Sequence, residues 1–169
     1  MKKAVCLALV LSFVLALASC GPAKSDYPAD VSMYDLSRSM LEAMGSEENI
    51  LYVSSSDDNA ENLFSHISGL DYGLVSEFLL LYAEDGARSA DEAAVIAVKD
   101  EKDAEEARQS LQDHVEERIR LYETYGPSEV PKLNDALIFT AGPYAVLVVC
   151  GDPAPVKQAF GDFMESARQ

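Results

Sequence analysis

Basic residues are few in this 169-residue chain. Lys and Arg number 13 against 29 Asp and Glu, a formal charge of −16. Lys2 and Lys3 are two of the 13, and no acidic residue precedes Cys20. A product beginning at Cys20 would therefore carry 29 acidic and 11 basic residues, a charge of −18. That balance argues against nucleic acid and against an anionic lipid surface as partners. It does not identify a cationic ligand, because acid-rich surfaces are commonly just soluble surfaces.

A membrane-length apolar run is lacking as well. Val5 to Ala18 is almost wholly apolar, but it is only about fourteen residues long. A membrane-spanning helix needs roughly 20. With Lys2 and Lys3 before it and small residues after it, the run has the form of an export signal. Leu17-Ala18-Ser19-Cys20 is more specific and resembles a bacterial lipobox. The resemblance implies a diacylglycerol on the Cys20 thiol, cleavage between Ser19 and Cys20, and anchoring by several acyl chains, palmitate-like, where one alone would be marginal. An ordinary signal peptide with a chance cysteine, or an uncleaved membrane helix, are the other two readings.

Cysteine is scarce. Cys6 leaves with residues 1–19 and Cys20 is the lipidation site, so Cys150 alone remains and no intramolecular disulfide is expected, although the export route would permit one. Cys150 ends the apolar run Tyr144–Cys150, which reads as a buried, inert thiol; a nucleophile would need a basic neighbour.

Histidine is limited to His66 and His114, neither in an HExxH motif or a zinc-spaced Cys-His set. Both read as surface or boundary residues. Asp57-Asp58 lacks the rest of a calcium loop, and Asp58 with Glu61 has capping-box spacing. Glu105-Glu106 and Glu116-Glu117 are adjacent residues whose side chains diverge, which suits a solvated helix face. There is no G-x-S-x-G and no glycine-rich loop between a strand and a helix. Tyr122, Tyr125 and Tyr144 form either a small pocket or an edge of the core. No catalytic, cofactor-binding or metal residue is assigned.

What is present is a regular alternation of elements. Residues 20–30 read as an acylated cysteine and a short proline-broken tether, and residues 31–169 as a single domain. Met33, Leu36, Met40 and Met44 make a helical stripe ended by Gly45, with Ser32 or Asp35 as its cap. Residues 50–53 are a brief apolar run, and Leu63, Phe64 and Ile67 belong to a short helix. Strands are expected at 75–83, 93–98, 136–141 and 144–150. Between them, residues 101–125 carry Ala104, Ala107, Leu111, Val115, Ile119 and Tyr122 at helical steps. A last helix follows Asp152-Pro153. The expected fold is α+β: about four strands in a mainly antiparallel sheet, backed on one side by amphipathic helices. Tyr144–Cys150 is so apolar that both its faces could be covered.

The order of these pieces is similar to that of the DUF4358 family of uncharacterised bacterial lipoproteins. The resemblance runs from about Ser32 to Met164. It rests on Ala94-Val-Ile-Ala-Val98 leading into the helix, Tyr125-Gly126-Pro127, and Gly142-Pro143-Tyr144 before the apolar strand. Members more often carry a lysine-rich helix where this chain has Glu105, Glu106, Asp113, Glu116 and Glu117, a difference of surface charge. The family brings no established activity, so no catalytic residue follows from it.

The functional expectation is a lipid-anchored protein on the outer side of the bacterial membrane, acting as a non-enzymatic binding or structural module. Its partner would be an envelope protein, a wall component or a small ligand. The alternative is an envelope hydrolase whose site assembles from distant residues. A cleft holding His66 or His114 beside a carboxylate is the feature that would favour the enzyme.

Overall fold

The computed structural model describes residues 27, 28, 30–46 and 49–169. The expected signal segment, the Cys20 lipidation site and most of the tether lie outside the described residues.

Five strands form one antiparallel sheet: β1 (Ile50–Ser54), β2 (Val75–Ala83), β3 (Glu92–Val98), β4 (Leu137–Ala141) and β5 (Tyr144–Val149), in the spatial order β1-β2-β3-β5-β4. The four expected strands are present, and the 50–53 run becomes a fifth at one edge. Neighbouring strands in the chain are joined without parallel crossovers except between β3 and β4, where a long helical segment spans the gap. The β4–β5 hairpin turns on Gly142, at φ 56°. A two-residue hairpin turn needs a positive φ at its first position, and glycine adopts it without strain.

Helices cover both faces of this sheet, not one. On one face lie α1 (Met33–Met44) and α5 (Ala154–Ser166); on the other lie α2 (Ala60–Phe64), α3 (Ala104–Tyr125) and α4 (Val130–Asn134). The cause is in the central strands. Every residue of β3 and of β5 is buried. Alternation along β3 sends Ala93, Val95 and Ala97 to the α1/α5 side, and Ala94, Ile96 and Val98 to the α3 side. A strand apolar on both faces must be shielded from water on both. Between α3 and β4 the chain holds a 3-10 turn (Pro127–Glu129) and α4. Leu133 of α4 is buried in the α3-side core.

Helix α1 keeps its expected limits. The amide of Asp35 donates to Ser32 Oγ at 3.2 Å, and Gly45 ends the helix in the left-handed region at φ 58°. Leu36 and Met40 are fully buried against Phe160 and Met164 of α5. In α3, Ala107, Leu111 and Val115 are buried on the opposite core, as their spacing requires.

The described N-terminal residues touch the sheet at one end. Tyr144 Oη donates to the Pro28 carbonyl at 2.6 Å, and the Arg168 guanidinium sits 4.9 Å from the centre of the Tyr27 ring. Burial, with Glu77 and Asp30 adding to it, pushes the Tyr144 phenol up to about 12, so it remains a donor at neutral pH. Tyr144 pairs with Ala97 at the C-terminal end of β3. Glu92 stands at the other end of the same strand.

Candidate functional site

Glu92 opens β3 on the α3 side, in phase with Ala94 and Ile96. It is buried, with only 4% of its side chain accessible. A carboxylate placed there without partners would cost several kcal/mol. Helix α3 supplies the partners. His114 and Arg118, one turn apart, border the buried stripe of Leu111 and Val115. His114 Nε2 lies 3.0 Å from Glu92 Oε1 and 3.2 Å from Oε2. Arg118 Nη1 donates to Glu92 Oε2, and Arg118 Nη2 donates to the Ala90 carbonyl at 3.2 Å and to Tyr122 Oη at 3.4 Å. Tyr122 Oη in turn donates to the Gly86 carbonyl at 2.5 Å. Burial raises the affinity of Glu92 for a proton, but Arg118 and His114 outweigh it and hold the carboxyl below its ordinary range. Glu92 is therefore ionised at neutral pH.

An ionised carboxylate only accepts, so Nε2 of His114 is the donor in this pair. Nδ1 has no hydrogen-bond partner among the described residues.

A second ionic group adjoins the first. Asp91 accepts from Lys132 Nζ at 2.7 Å and from Ser46 Oγ at 2.5 Å. Glu129 accepts from Lys132 Nζ at 2.7 Å and from the Ala90 amide at 2.9 Å. Burial works against the Glu129 charge, and the Lys132 ammonium and the Ala90 amide overcome it, leaving the carboxyl below its ordinary range. These bonds tie α4 and the end of α1 to the start of β3, and so position Glu92.

The Glu92–His114 pair faces a groove between α3 and the segment 65–70. Its inner compartment, about 300 Å³, has walls of Val53, Leu63, Ile67, Leu80 and Tyr82, with Glu92, His114 and Arg118 beside them. Its outer compartment, about 460 Å³, shares His66, Ile67 and His114 and extends to Ser110, Glu106, Asp113 and Glu117. A hydroxyl contact of 2.6 Å between Ser68 and Ser110 pins the loop to the helix.

The structure thus joins the two histidines that sequence left apart. His114 is a boundary residue, but it is engaged by a buried carboxylate rather than merely solvated. His66 is exposed on the groove's opposite wall. Asp57 closes a turn by accepting from the Ser54 amide at 2.7 Å; Asn59, not Asp58, precedes α2 and makes no side-chain cap. Glu105 bonds Arg108, whereas Glu106 lines the groove, so the members of that pair diverge as expected. Tyr122 and Tyr144 lie in the cores on opposite faces of the sheet and form no shared pocket, and Tyr125 is exposed. Cys150 is buried, its Sγ 3.2 Å from the Asp152 carbonyl, and burial raises its thiol above the ordinary value. Among the described residues, no group of three or more His, Cys, Asp or Glu is placed to hold a metal ion. Among the same residues no helix is long and apolar enough to cross a membrane.

Glu92 escaped the sequence reading because the strand was started one residue late, at Ala93. Extending the two-residue alternation backwards from Ile96 through Ala94 places Glu92 on the side that faces α3. The i, i+4 spacing of His114 and Arg118 along the edge of the apolar stripe was the matching signal on α3.

Fold and site together define an antiparallel sheet enclosed by helices on both faces, with a groove whose inner, largely apolar compartment ends on the buried Glu92 and its partners His114 and Arg118. The chain belongs to the DUF4358 family, a domain of unknown function, whose profile matches residues 53–150. The matched stretch takes in all the described walls of the groove. No curated protein matches the chain, and no solved structure matches it.

Proposed function

We propose that the protein is a lipid-anchored extracytoplasmic binding module, held through Cys20, whose ligand site is the groove between α3 and the segment 65–70. The observation that carries the reading is the inner compartment: apolar walls around a few convergent polar groups, which is the usual make-up of a small-molecule site. Glu92 is held by His114 and Arg118, and α4 braces the start of β3 beside it, so the polar end of the groove is in place before any ligand arrives.

The sequence Leu17-Ala-Ser-Cys20 supports the anchor. The fold suits it. The described chain meets the sheet at the Tyr144 end of β3, while the inner compartment of the groove, with Glu92, lies at the other end of that strand and on the other face. Five residue steps of strand separate those ends, about 17 Å. A domain anchored through Cys20 then presents the groove away from the lipid. In a Cys20→Ala variant, incorporation of a fatty-acid probe should disappear and unprocessed precursor should accumulate. Persistent labelling would sink the anchor.

The binding role is tested by native mass spectrometry on protein extracted from its own envelope. A small-molecule adduct should accompany the wild-type chain and vanish in Leu63→Trp, which fills the inner compartment. An adduct that survives that substitution lies elsewhere.

One observation favours the hydrolase reading. A histidine oriented by a buried carboxylate is half of a nucleophile-activating triad. The other half is not in place: Ser110 Oγ donates to the Ala107 carbonyl at 2.8 Å and contacts Ser68, and no serine hydroxyl bonds His114 among the described residues. Binding therefore fits the geometry better than acyl transfer.

A further inference from the structure

We infer that the groove takes a small uncharged molecule, a compact apolar body carrying no more than a hydroxyl or a similar neutral group. This inference rests on the groove being a ligand site at all, and it names the ligand's chemistry.

The inner compartment sets the body. Val53, Leu63, Ile67, Leu80 and Ala83 offer no side-chain hydrogen bond, and about 300 Å³ accommodates a single ring or a short branched chain. An apolar body seated there exchanges water for apolar contact, which is favourable in proportion to the area covered.

The charges already present exclude a charged head group. Glu92 and Arg118 border the inner compartment as a pair engaged with each other. The guanidinium also bonds the Ala90 carbonyl and Tyr122, and the carboxylate also accepts from His114 Nε2. A ligand carboxylate or phosphate would have to take Arg118 from Glu92 and leave a buried carboxylate without its counter-charge. A ligand ammonium would have to take Glu92 from Arg118 and leave the guanidinium, 17% accessible, without its own. An ion that displaced neither would enter an apolar compartment unpaired, which is also strongly unfavourable.

The outer compartment does not rescue either sign. Glu106, Asp113 and Glu117 border it and no Lys or Arg does, so an anion is repelled as it approaches. The same three carboxylates are exposed, and solvated carboxylates hold a cation only weakly. An uncharged ligand meets none of these costs.

Tyr82 leaves one polar contact for such a ligand. It lines the inner compartment, pairs with Glu92 across β2 and β3, and its hydroxyl makes no hydrogen bond among the described residues. A phenol both donates and accepts, so it can meet a hydroxyl or a carbonyl without any charge on the partner.

The test uses the full acylated chain in detergent and four probes of similar shape at neutral pH: 2-phenylethanol, ethylbenzene, phenethylamine and phenylacetate. Calorimetric titration of the wild type is referenced to Leu63→Trp in the same detergent, so that uptake by micelles cancels. The two neutral probes should bind at least about tenfold more tightly than either ion. Tyr82→Phe should weaken 2-phenylethanol severalfold and leave ethylbenzene unchanged, a split that a loss of structure would not produce. Thermal unfolding of each variant reports whether it is folded. Either ion binding as tightly as the neutral probes overturns the inference. So does undetectable binding of both neutral probes. An alcohol affinity indifferent to Tyr82→Phe overturns the contact assigned to that hydroxyl. A native adduct that is lost in Leu63→Trp but carries a charge would leave the binding role standing and overturn the uncharged ligand alone; no adduct and no probe binding would remove both.

Discussion

Glu92→Ala should destabilise the domain by about 3–5 kcal/mol, the usual cost of removing one partner from a buried ion pair. The charge lost is not the main term. Arg118 would remain between α3 and the sheet, 17% accessible, bonded only to the Ala90 carbonyl and Tyr122. His114 would lose the acceptor that fixes its ring. Urea denaturation of the full chain in detergent measures the effect, and a change below about 1 kcal/mol, the level of an exposed pair, would show that the set is solvated. Glu92→Leu combined with Arg118→Met removes both charges, and it should recover most of the loss, since apolar replacements of buried pairs are often neutral. The same carboxylate gives a pH dependence. Its folded value is lowered from the ordinary 4.5, so the unfolded chain binds the proton more readily. The stabilisation is present above about 4.5 and is lost as pH falls through the folded value. Glu92→Gln should flatten this acid limb relative to wild type.

Phe78→Ala should cost a similar amount, about 3–5 kcal/mol, by a different route. Phe78 is fully buried in β2, its ring centre 5.3 Å from that of Phe64 and 6.3 Å from that of Tyr72. Phe64 and Tyr72 are themselves 5.4 Å apart, so three rings close one end of the α3-side core. Truncating the central ring opens a cavity under α2 and the segment 65–70, which carries His66 and Ile67. Hydrogen exchange of that segment should rise along with the loss in urea midpoint. Phe78→Leu, which keeps most of the volume, should cost clearly less. Equal losses for Leu and Ala would mean that ring packing does not set the stability of this end.

Much of the fold was legible because the periodicity is clean. The stripe Met33, Leu36, Met40, Met44 marked α1 and Gly45 its end, with the N-cap left between Ser32 and Asp35, and Ala107, Leu111, Val115 marked the buried side of α3. Both elements declare themselves through contacts three and four residues apart. Val75–Ala83 was recovered to the residue, since Tyr72-Gly73 and Glu84-Asp85 bound an unbroken apolar run. The apolar character of Tyr144–Cys150 left cover on both faces open, while the expected sheet was backed on one side only. The choice of which helices cover which face was not local. It follows from strand order, and β5 inserts between β3 and β4 through pairings about fifty residues apart in the chain.

The candidate site was legible in less degree. Its residues come from β3, from α3 and from the segment after α2, and nothing in the chain marks them as neighbours. His114 looked like one more polar residue beside Val115. It acquired a role when the sheet placed Glu92 opposite it, because a carboxylate excluded from water must find donors, and α3 crosses at that point. The sequence determined the surface charge, the apolar periods, the helix caps and the Leu17–Cys20 motif, since each depends on residues close together in the chain. The tertiary structure alone decided the groove and its Glu92–His114–Arg118 set, since burial, counter-charge and cavity arise only where distant segments exclude the same water.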